Sequence, residues 1–427
     1  MYRQFWVREE DRKFQRILWM DAEGRTKTYE LNTVTFGVAS APYLAIRWLH
    51  QLADDKSEDF PEAALRIKSD LYVNDLLTGT DSYEAAVSLR DDIDALLKRG
   101  GLNLRQWAFN DPRLLQNLPE SNVNLQLQVD KDATIKTLGI HWDPQRDAII
   151  YTVKPMPTAS KVTKRSIASE LAQIFNPLGL LGPVIVRGKI IMQLLWKEQL
   201  DWDDPVPSSV STEWKSYKNQ LSVLNNASFD KKVIMADTKE IQLHGFCDAS
   251  EKAYGACIYL KTIDSNGTSE IKLLCAKSRV APIKTTTLPR LELCSALLLA
   301  DLYQVMKKSL THEIHRAFFW SDSMVALHWI KTPPHKLLVF VANRVSGIQE
   351  KTRGSEWRHV RTHDNPADHV SRGLTAAELI ENTQWKNGPS WLNLDESSWP
   401  TSELLIPMEI PEIRKVQCLL TTPKNDL

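Results

Sequence analysis

Hydrophobic positions near the start of the chain alternate before they settle into a helical spacing. Residues 14–20 read as a strand, and residues 26–31 as its partner after the turn Ala22-Glu23-Gly24-Arg25. Residues 40–52 read as a helix with Pro42 in its first turn. Residues 70–80 read as two short strands about a polar turn at Asn74-Asp75, closed by Gly79. Residues 82–98 form an amphipathic pattern that Gly100-Gly101 terminates. Residues 102–107 are strand-like, and residues 135–142 with 148–153 suggest a hairpin.

Residues 160–200 read as two helices separated by Asn176-Pro177-Leu178-Gly179. Pro205 and Pro207 make residues 201–211 the best linker. A second unit begins near Ile241. Residues 241–247, 256–262 and 271–276 are strand-like, followed by a helix over 289–306 and a strand over 317–321. Helices over 323–329 and 337–349, a strand over 357–361 and a short helix over 366–371 complete it. Three strands followed by alternating helices and strands indicate a mixed α/β domain. Beyond Gly373 the chain is rich in Pro, Ser and Trp, and reads as a tail that wraps or trails.

Composition narrows the class. With 427 residues, 43% hydrophobic and 25% charged, the chain has the balance of a soluble globular protein of two to four domains. Whole-chain disorder is excluded. The most apolar stretches, near residues 178–186 and 296–300, fall well short of the ~18 apolar residues of a membrane span. Residues 2–16 are charged throughout and carry no secretory signal. The five cysteines are widely spaced, without a CxxC pair. That usage points to a reducing, intracellular compartment, cytoplasmic or nuclear, and not to secretion. Lys+Arg and Asp+Glu balance at 53 each, so any electrostatic footprint is local. Acids outnumber bases over residues 51–100, and bases outnumber acids over 160–200.

Four acids occupy similar local positions. Asp248 ends the first strand of the second unit, in Gly245-Phe246-Cys247-Asp248-Ala249-Ser250. Glu292 lies in the first turn of a helix, in Leu288-Pro289-Arg290-Leu291-Glu292-Leu293. Asp322 ends a later strand, in Trp320-Ser321-Asp322-Ser323, and Asp368 opens the last helix. Each alone is a helix cap or turn residue. Strand ends and helix starts can converge on one sheet edge, where four carboxylates repel unless they bind cations. Mg²⁺ prefers carboxylate oxygens, and a pair of such ions serves phosphodiester hydrolysis.

With Asn365-Pro366-Ala367-Asp368-His369-Val370-Ser371-Arg372-Gly373, these segments resemble the ribonuclease H domain of retroelement polyproteins, in particular the BEL/Pao class of LTR retrotransposons. The resemblance implies Asp248, Glu292, Asp322 and Asp368 as catalytic metal ligands, with Mg²⁺ or Mn²⁺ as cofactor and an RNA–DNA hybrid as substrate. Many relatives place a His in a longer loop before the fourth Asp. Here only the short Arg361-Thr362-His363-Asp364 segment stands there, and His363 reads as a loop residue, with a proton-transfer role as the alternative.

The resemblance extends into the first half, over roughly residues 1–400. Thr35-Phe36-Gly37-Val38-Ala39-Ser40-Ala41-Pro42 is similar to the reverse-transcriptase segment that positions template and nucleotide, which implies contacts from Gly37, Ser40 and Pro42. Tyr72-Val73-Asn74-Asp75 resembles the Tyr-x-Asp-Asp hairpin of the palm, and the segment around Trp107 resembles the primer grip. Residues 163–182 and 195–205 resemble the thumb and connection, which implies that Lys161, Lys164, Arg165, Arg187 and Lys189 track phosphates. Two departures stand out. Asn74 replaces the first aspartate of the hairpin, and the family's other catalytic Asp lies upstream of the segment Met1-Tyr2-Arg3-Gln4. Asp75 alone cannot hold two metal ions, so the expectation is a vestigial polymerase that does not extend a primer by itself.

The expectation is therefore a multidomain α/β (α+β) chain. A partial palm spans 1–110, a helical thumb and connection 111–210, an RNase H-like mixed α/β domain 238–375, and a Pro/Trp-rich tail 376–427 leads toward an integrase. The polyprotein's protease and integrase would lie outside this chain. Two other functions stay open. A domesticated relic could bind nucleic acid without turnover. An aspartic peptidase is the lesser alternative, because the Asp-Thr-Gly or Asp-Ser-Gly tripeptide of that chemistry does not occur.

Overall fold

The computed structural model describes residues 1–116, 118–124, 134–137, 139–154, 161–400 and 410–414. They form two compact units, Met1–Asp147 and Ala148–Leu427. No helix of the described residues is long and apolar enough to cross a membrane.

The first unit pairs β1 (Arg16–Met20) with β2 (Thr26–Glu30) in an antiparallel hairpin, as the alternation predicts. Its core is helical. Helix α1 (Ala41–Asp55) buries Ala41, Ala45, Leu49 and Ala53, a stripe with the four-residue spacing of one helix face. Helix α2 (Pro61–Asp70) starts on Pro61 and buries Ala63, Ala64 and Ile67. Helix α3 (Tyr83–Arg99) is capped by the Ser82 hydroxyl, which accepts from the Ala85 amide, and adds Leu89, Ile93, Leu96 and Leu97.

Between α2 and α3, β3 (Leu71–Tyr72) pairs with β4 (Asp75–Leu76). The turn falls on Val73-Asn74, one residue earlier than the polar pattern suggests. Val73 has φ 54, a left-handed conformation that a β-branched residue rarely takes. Residues 102–107, expected to be extended, form no regular strand. Trp107 makes only an isolated bridge to Val123, and Gln106 turns left-handed with φ 62. The run 135–142 is broken by Gly139 into β5 (Ile135–Thr137) and β6 (Ile140–Asp143), which pair with each other.

The second unit is built on a five-stranded mixed sheet. Its strands are β9 (Thr238–Ala249), β10 (Ala253–Asp264), β11 (Ser269–Val280), β12 (Arg316–Ser321) and β13 (Glu356–His359). Their spatial order is β11-β10-β9-β12-β13. The first three pair antiparallel, while β12 runs parallel to both β9 and β13. Ahead of the sheet lie β7 (Ala148–Ile150), paired with β8 (Ser228–Asp230), and the helices α4 (Lys164–Ala172), α5 (Gly182–Lys197) and α6 (Ser208–Gln220). Later helices are α7 (Leu288–Ser309), α8 (Met324–Lys331), α9 (Val339–Lys351), α10 (Asp368–Arg372), α11 (Ala376–Glu381) and α12 (Thr383–Asn387).

Both faces of the sheet are covered, which explains why β9 and β10 are buried almost continuously from Ile241 and from Ala253. On one face Leu243, Cys247, Ile258 and Phe319 pack against Leu293, Ala296, Leu299 and Tyr303 of α7 and against Val341 and Val345 of α9. On the other, Phe246, Tyr259, Phe318 and Trp320 pack against Leu181, Val184, Trp214 and Leu224 from residues 180–224. Leu379, Trp385, Leu392 and Trp399 close that layer. Residues 376–400, expected to be a tail, are thus part of the core, because their indoles are large enough to finish it. The Pro-marked segment 201–211 docks on the start of α4, where the Arg165 amide donates to the Trp202 carbonyl and the Val206 amide to the Val162 carbonyl.

Candidate active site

Strand register brings the first two acids together. Ser321 of β12 lies opposite Cys247 of β9, so the next residues, Asp322 and Asp248, stand side by side one strand spacing apart, ~4.8 Å. Glu292 reaches the same end of the sheet from the second turn of α7. One carboxylate oxygen from each of Asp248, Glu292 and Asp322 lies within 4.8 Å of the other two. Among the described residues this is the one group of three acids, cysteines or histidines able to hold a metal ion. Asp368 stands beside this group and not within it. Its carboxylate accepts from the Arg372 guanidinium, and its charge helps to raise Asp248.

The cluster is electrostatically frustrated. Asp248 and Glu292 are buried, and Asp322 is half-buried. Burial, then the charge of Asp322, pushes the Asp248 carboxyl up to about 7, although a bond from Ser371 works the other way. Burial, then Asp248 and Asp322, pushes Glu292 up to about 10. The Glu292 Oε2 is buried with no hydrogen-bond partner. An orphaned buried acceptor within a knot of acids is what a cation would satisfy, so these residues fit a hard divalent metal.

The segment before and within α10 braces the acids. The Ser371 hydroxyl donates to Asp248 Oδ2, and the Ser371 carbonyl accepts from the Ser250 hydroxyl at 2.9 Å. The buried Asn365 amide donates to the Cys247 carbonyl at 3.0 Å and lies 3.4 Å from Asp322 Oδ1. Gly255, opposite Asp248 in the ladder, permits this approach: a Cβ there would fall 2.6 Å from Val370 of α10. None of the bracing side chains was singled out from the sequence, although Asn365 and Ser371 stand within the motif that carries Asp368. His363, read as a loop residue, is exposed and 3.3 Å from the Asp364 carboxylate.

The first-half residues are placed differently. Asn74 and Asp75 are exposed on the β3–β4 turn and strand, and Tyr72 is exposed beside them. Gly37 takes φ +85 in open space, Ser40 precedes α1 without capping it by its side chain, and Pro42 lies in the first turn of that helix. Trp107 stacks on Phe109 with ring centroids 5.5 Å apart.

The cations of α4 and its approach are engaged within the fold. Lys164, expected to track phosphates, is buried. Its ammonium donates to the Leu200 carbonyl at 2.9 Å and sits 3.8 Å from the centre of the Trp196 ring. Arg165 makes a two-pronged pair with Asp203, and Lys161 donates to the Asp203 carbonyl at 2.9 Å. Lys164 is therefore corrected to a packing residue.

Residues 163–323 match the family described as the Pao retrotransposon-like RNaseH-like domain. Asp248, Glu292 and Asp322 all fall within the matched residues. No curated protein sequence matches the chain. Among solved structures, the N-terminal RNase H domain of rv2228c from Mycobacterium tuberculosis, fused to maltose binding protein, is 11% identical, with 33% of this chain and 94% of that one covered at a TM-score of 0.22. LC11-RNase H1 in complex with an RNA/DNA hybrid is 16% identical, with 31% and 93% covered at 0.21. RNase H1 from Halobacterium salinarum NRC-1 is 11% identical, with 33% and 98% covered at 0.21.

Proposed function

Taking residues 163–323 as a Pao retrotransposon-like RNase H-like domain, we propose that this chain is a retrotransposon Pol-derived nuclease that cleaves the RNA strand of RNA–DNA hybrids with Mg²⁺ or Mn²⁺. The observation that carries the reading is the oxygen cluster of Asp248, Glu292 and Asp322, in which the buried Glu292 Oε2 has no hydrogen-bond partner. Bound divalent ions at such a cluster supply an activated water and stabilise the leaving oxygen of the phosphodiester. The chain's own part is to hold the ligands. Asp248 and Asp322 are fixed by the parallel register of β9 and β12, and Glu292 by α7. Ser371 occupies one oxygen of Asp248 and so orients the carboxylate. Arg372 pairs with Asp368 and offsets part of the repulsion that Asp368 adds at Asp248.

The first unit supports a polymerase remnant and not a polymerase. Asn74 is neutral, Asp75 is exposed, and the described residues near them offer no further group of acids. An intracellular setting, cytoplasmic or nuclear, belongs to the same proposal and rests on the wide spacing of the five cysteines in the sequence.

The test is cleavage of a labelled RNA–DNA hybrid by the purified chain, with Mg²⁺ or Mn²⁺ beside EDTA and an Asp322→Asn variant. Metal-dependent cutting that the variant loses is the expected result. A folded protein that binds the hybrid without cutting would be a nucleic-acid-binding relic, and the nuclease reading would fall. Primer extension above background would overturn the polymerase statement.

A further inference from the structure

Resting on the nuclease reading, we propose that Lys252, Lys277, Arg279 and Lys284 form a track for the phosphates of the nucleic acid, leading from the carboxylate cluster across the antiparallel edge of the sheet. Exposure alternates along the end of β11. Ala276 and Ser278 are buried, while Lys277 and Arg279 are exposed, so the two cations share one face. Arg279 lies opposite Tyr254 of β10, and Tyr254 lies opposite Ala249, the residue after Asp248. Two strand spacings of ~4.8 Å separate the backbone of Arg279 from that of Ala249, roughly 10 Å in all.

The other two cations extend the row. Lys252 lies in the turn between β9 and β10, where its carbonyl accepts from the Ala281 amide at 2.8 Å. Lys284 lies three residues further along, in the loop that leads into α7 and hence to Glu292. Ala249, Ala281, Leu291 and Tyr254 pack as one small cluster, so this is the face on which α7 begins. All four cations are exposed. Among the described residues none of the four has an ion pair, and Glu251 is the one acid in the turn beside them. Arg165 and Arg316, by contrast, are paired with Asp203 and Glu396. Behind the row, Lys189 of α5 donates to the Ser278 carbonyl at 3.1 Å, its charge disfavoured first by burial and then by Lys277.

Exposed single cations contribute little to folding. A row of them beside a phosphodiester-cleaving cluster is suited to a polyanion, where each contact releases counterions and steepens the salt dependence. The sequence does not announce the row, because the four residues are spread over residues 252–284 and join only through the β9-β10-β11 ladder.

The experiment measures affinity of the full chain for a labelled RNA–DNA hybrid in EDTA, across a salt series, by fluorescence anisotropy. The wild type is compared with Lys277→Glu/Arg279→Glu and with a control pair, Lys307→Glu/Lys308→Glu. The control pair lies on the last turn of α7, roughly 22 Å along the helix from Glu292. Melting temperatures and Mn²⁺ binding verify that each variant is folded with its acids in place. The expected result is at least a tenfold loss of affinity near 0.1 M salt for Lys277→Glu/Arg279→Glu, and a log–log salt slope shallower by about two. The control pair should stay within about threefold of wild type. Equal affinity and slope in wild type and the β11 variant would overturn the track. Binding with the predicted loss, but no cutting in Mg²⁺, would leave the track standing and remove the nuclease reading. No hybrid binding by the wild type would overturn both.

Discussion

Asp248 is buried, and the Ser371 hydroxyl is a neighbour that favours its charged form, as a metal ligand would need. Ser371→Ala removes the donor to Asp248 Oδ2 and frees the carboxylate to rotate. Loss of a partner that orients a metal ligand typically weakens metal affinity or activity ~10–100-fold. We expect Mn²⁺ affinity by calorimetry to fall in that range, with metal-free stability lower by only about 1 kcal/mol. The raised carboxyls also fix a sign for pH. Between their ordinary values near 4 and the raised values of about 7 for Asp248 and about 10 for Glu292, the folded state holds more protons than the unfolded state. Metal-free stability therefore falls as pH rises through that window, by an amount on the order of a few kcal/mol. In EDTA, the melting temperature should drop from pH 5 to pH 9, and Mg²⁺ should raise it more at pH 8 than at pH 6. Glu292→Gln should melt higher than wild type at pH 8 in EDTA while binding Mn²⁺ more weakly. A melting temperature in EDTA that rises with pH would contradict this assignment of strain. That Asp248, Glu292 and Asp322 meet is legible in the sequence, because each sits at a strand end or near a helix start within a short motif, whereas Asp368 stands outside their group. The burial of Lys164 is not legible, because it depends on Trp196 and Trp202, more than thirty residues further along the chain.

At the scale of elements, legibility followed local consistency. The helices 164–172 and 182–197 and the strands of the five-stranded sheet carry patterns that tertiary packing reinforces, and all fall where the spacing predicts. Residues 102–107 form no regular strand, and among the described residues their one bridge is at Trp107. Residues 61–70, not read as a helix from the sequence, become one because Pro61 fixes the first turn and the small Ala63 and Ala64 allow close packing. The five-residue helix 383–387 is too short to be stable by itself. It is held by Trp385, whose indole donates to the Leu180 carbonyl at 2.8 Å and whose own carbonyl accepts from Tyr259 at 2.9 Å. Trp385→Ala removes a fully buried indole and two elements' worth of anchoring. We expect it to cost about 3–5 kcal/mol in chemical denaturation of the second unit. Trp385→Phe, which loses the hydrogen bond but keeps most of the volume, should cost clearly less.

At the scale of the whole molecule, the sheet that carries the acids is finished by chain that the motifs do not mark. Its face bearing Phe246, Tyr259 and Trp320 is covered from two directions, by residues 180–224 and by residues 376–399. A piece limited to residues 238–375 would expose that whole apolar layer to water. Even a few of those aromatic side chains left bare would forfeit several kcal/mol at ~25 cal/mol per Å², as much as a domain's entire margin of stability. The minimal folded piece that keeps the acid cluster is therefore expected to be residues 148–400, in which both covering layers are kept. Expressed side by side, 148–400 should be soluble, melt cooperatively and bind Mn²⁺. The piece 238–375 should aggregate or expose its apolar layer to a hydrophobic dye. If 238–375 instead melts cooperatively and binds Mn²⁺ as tightly as the longer piece, the helices of residues 164–220 do not complete the sheet. Their function would then have to be sought in what they present to solvent.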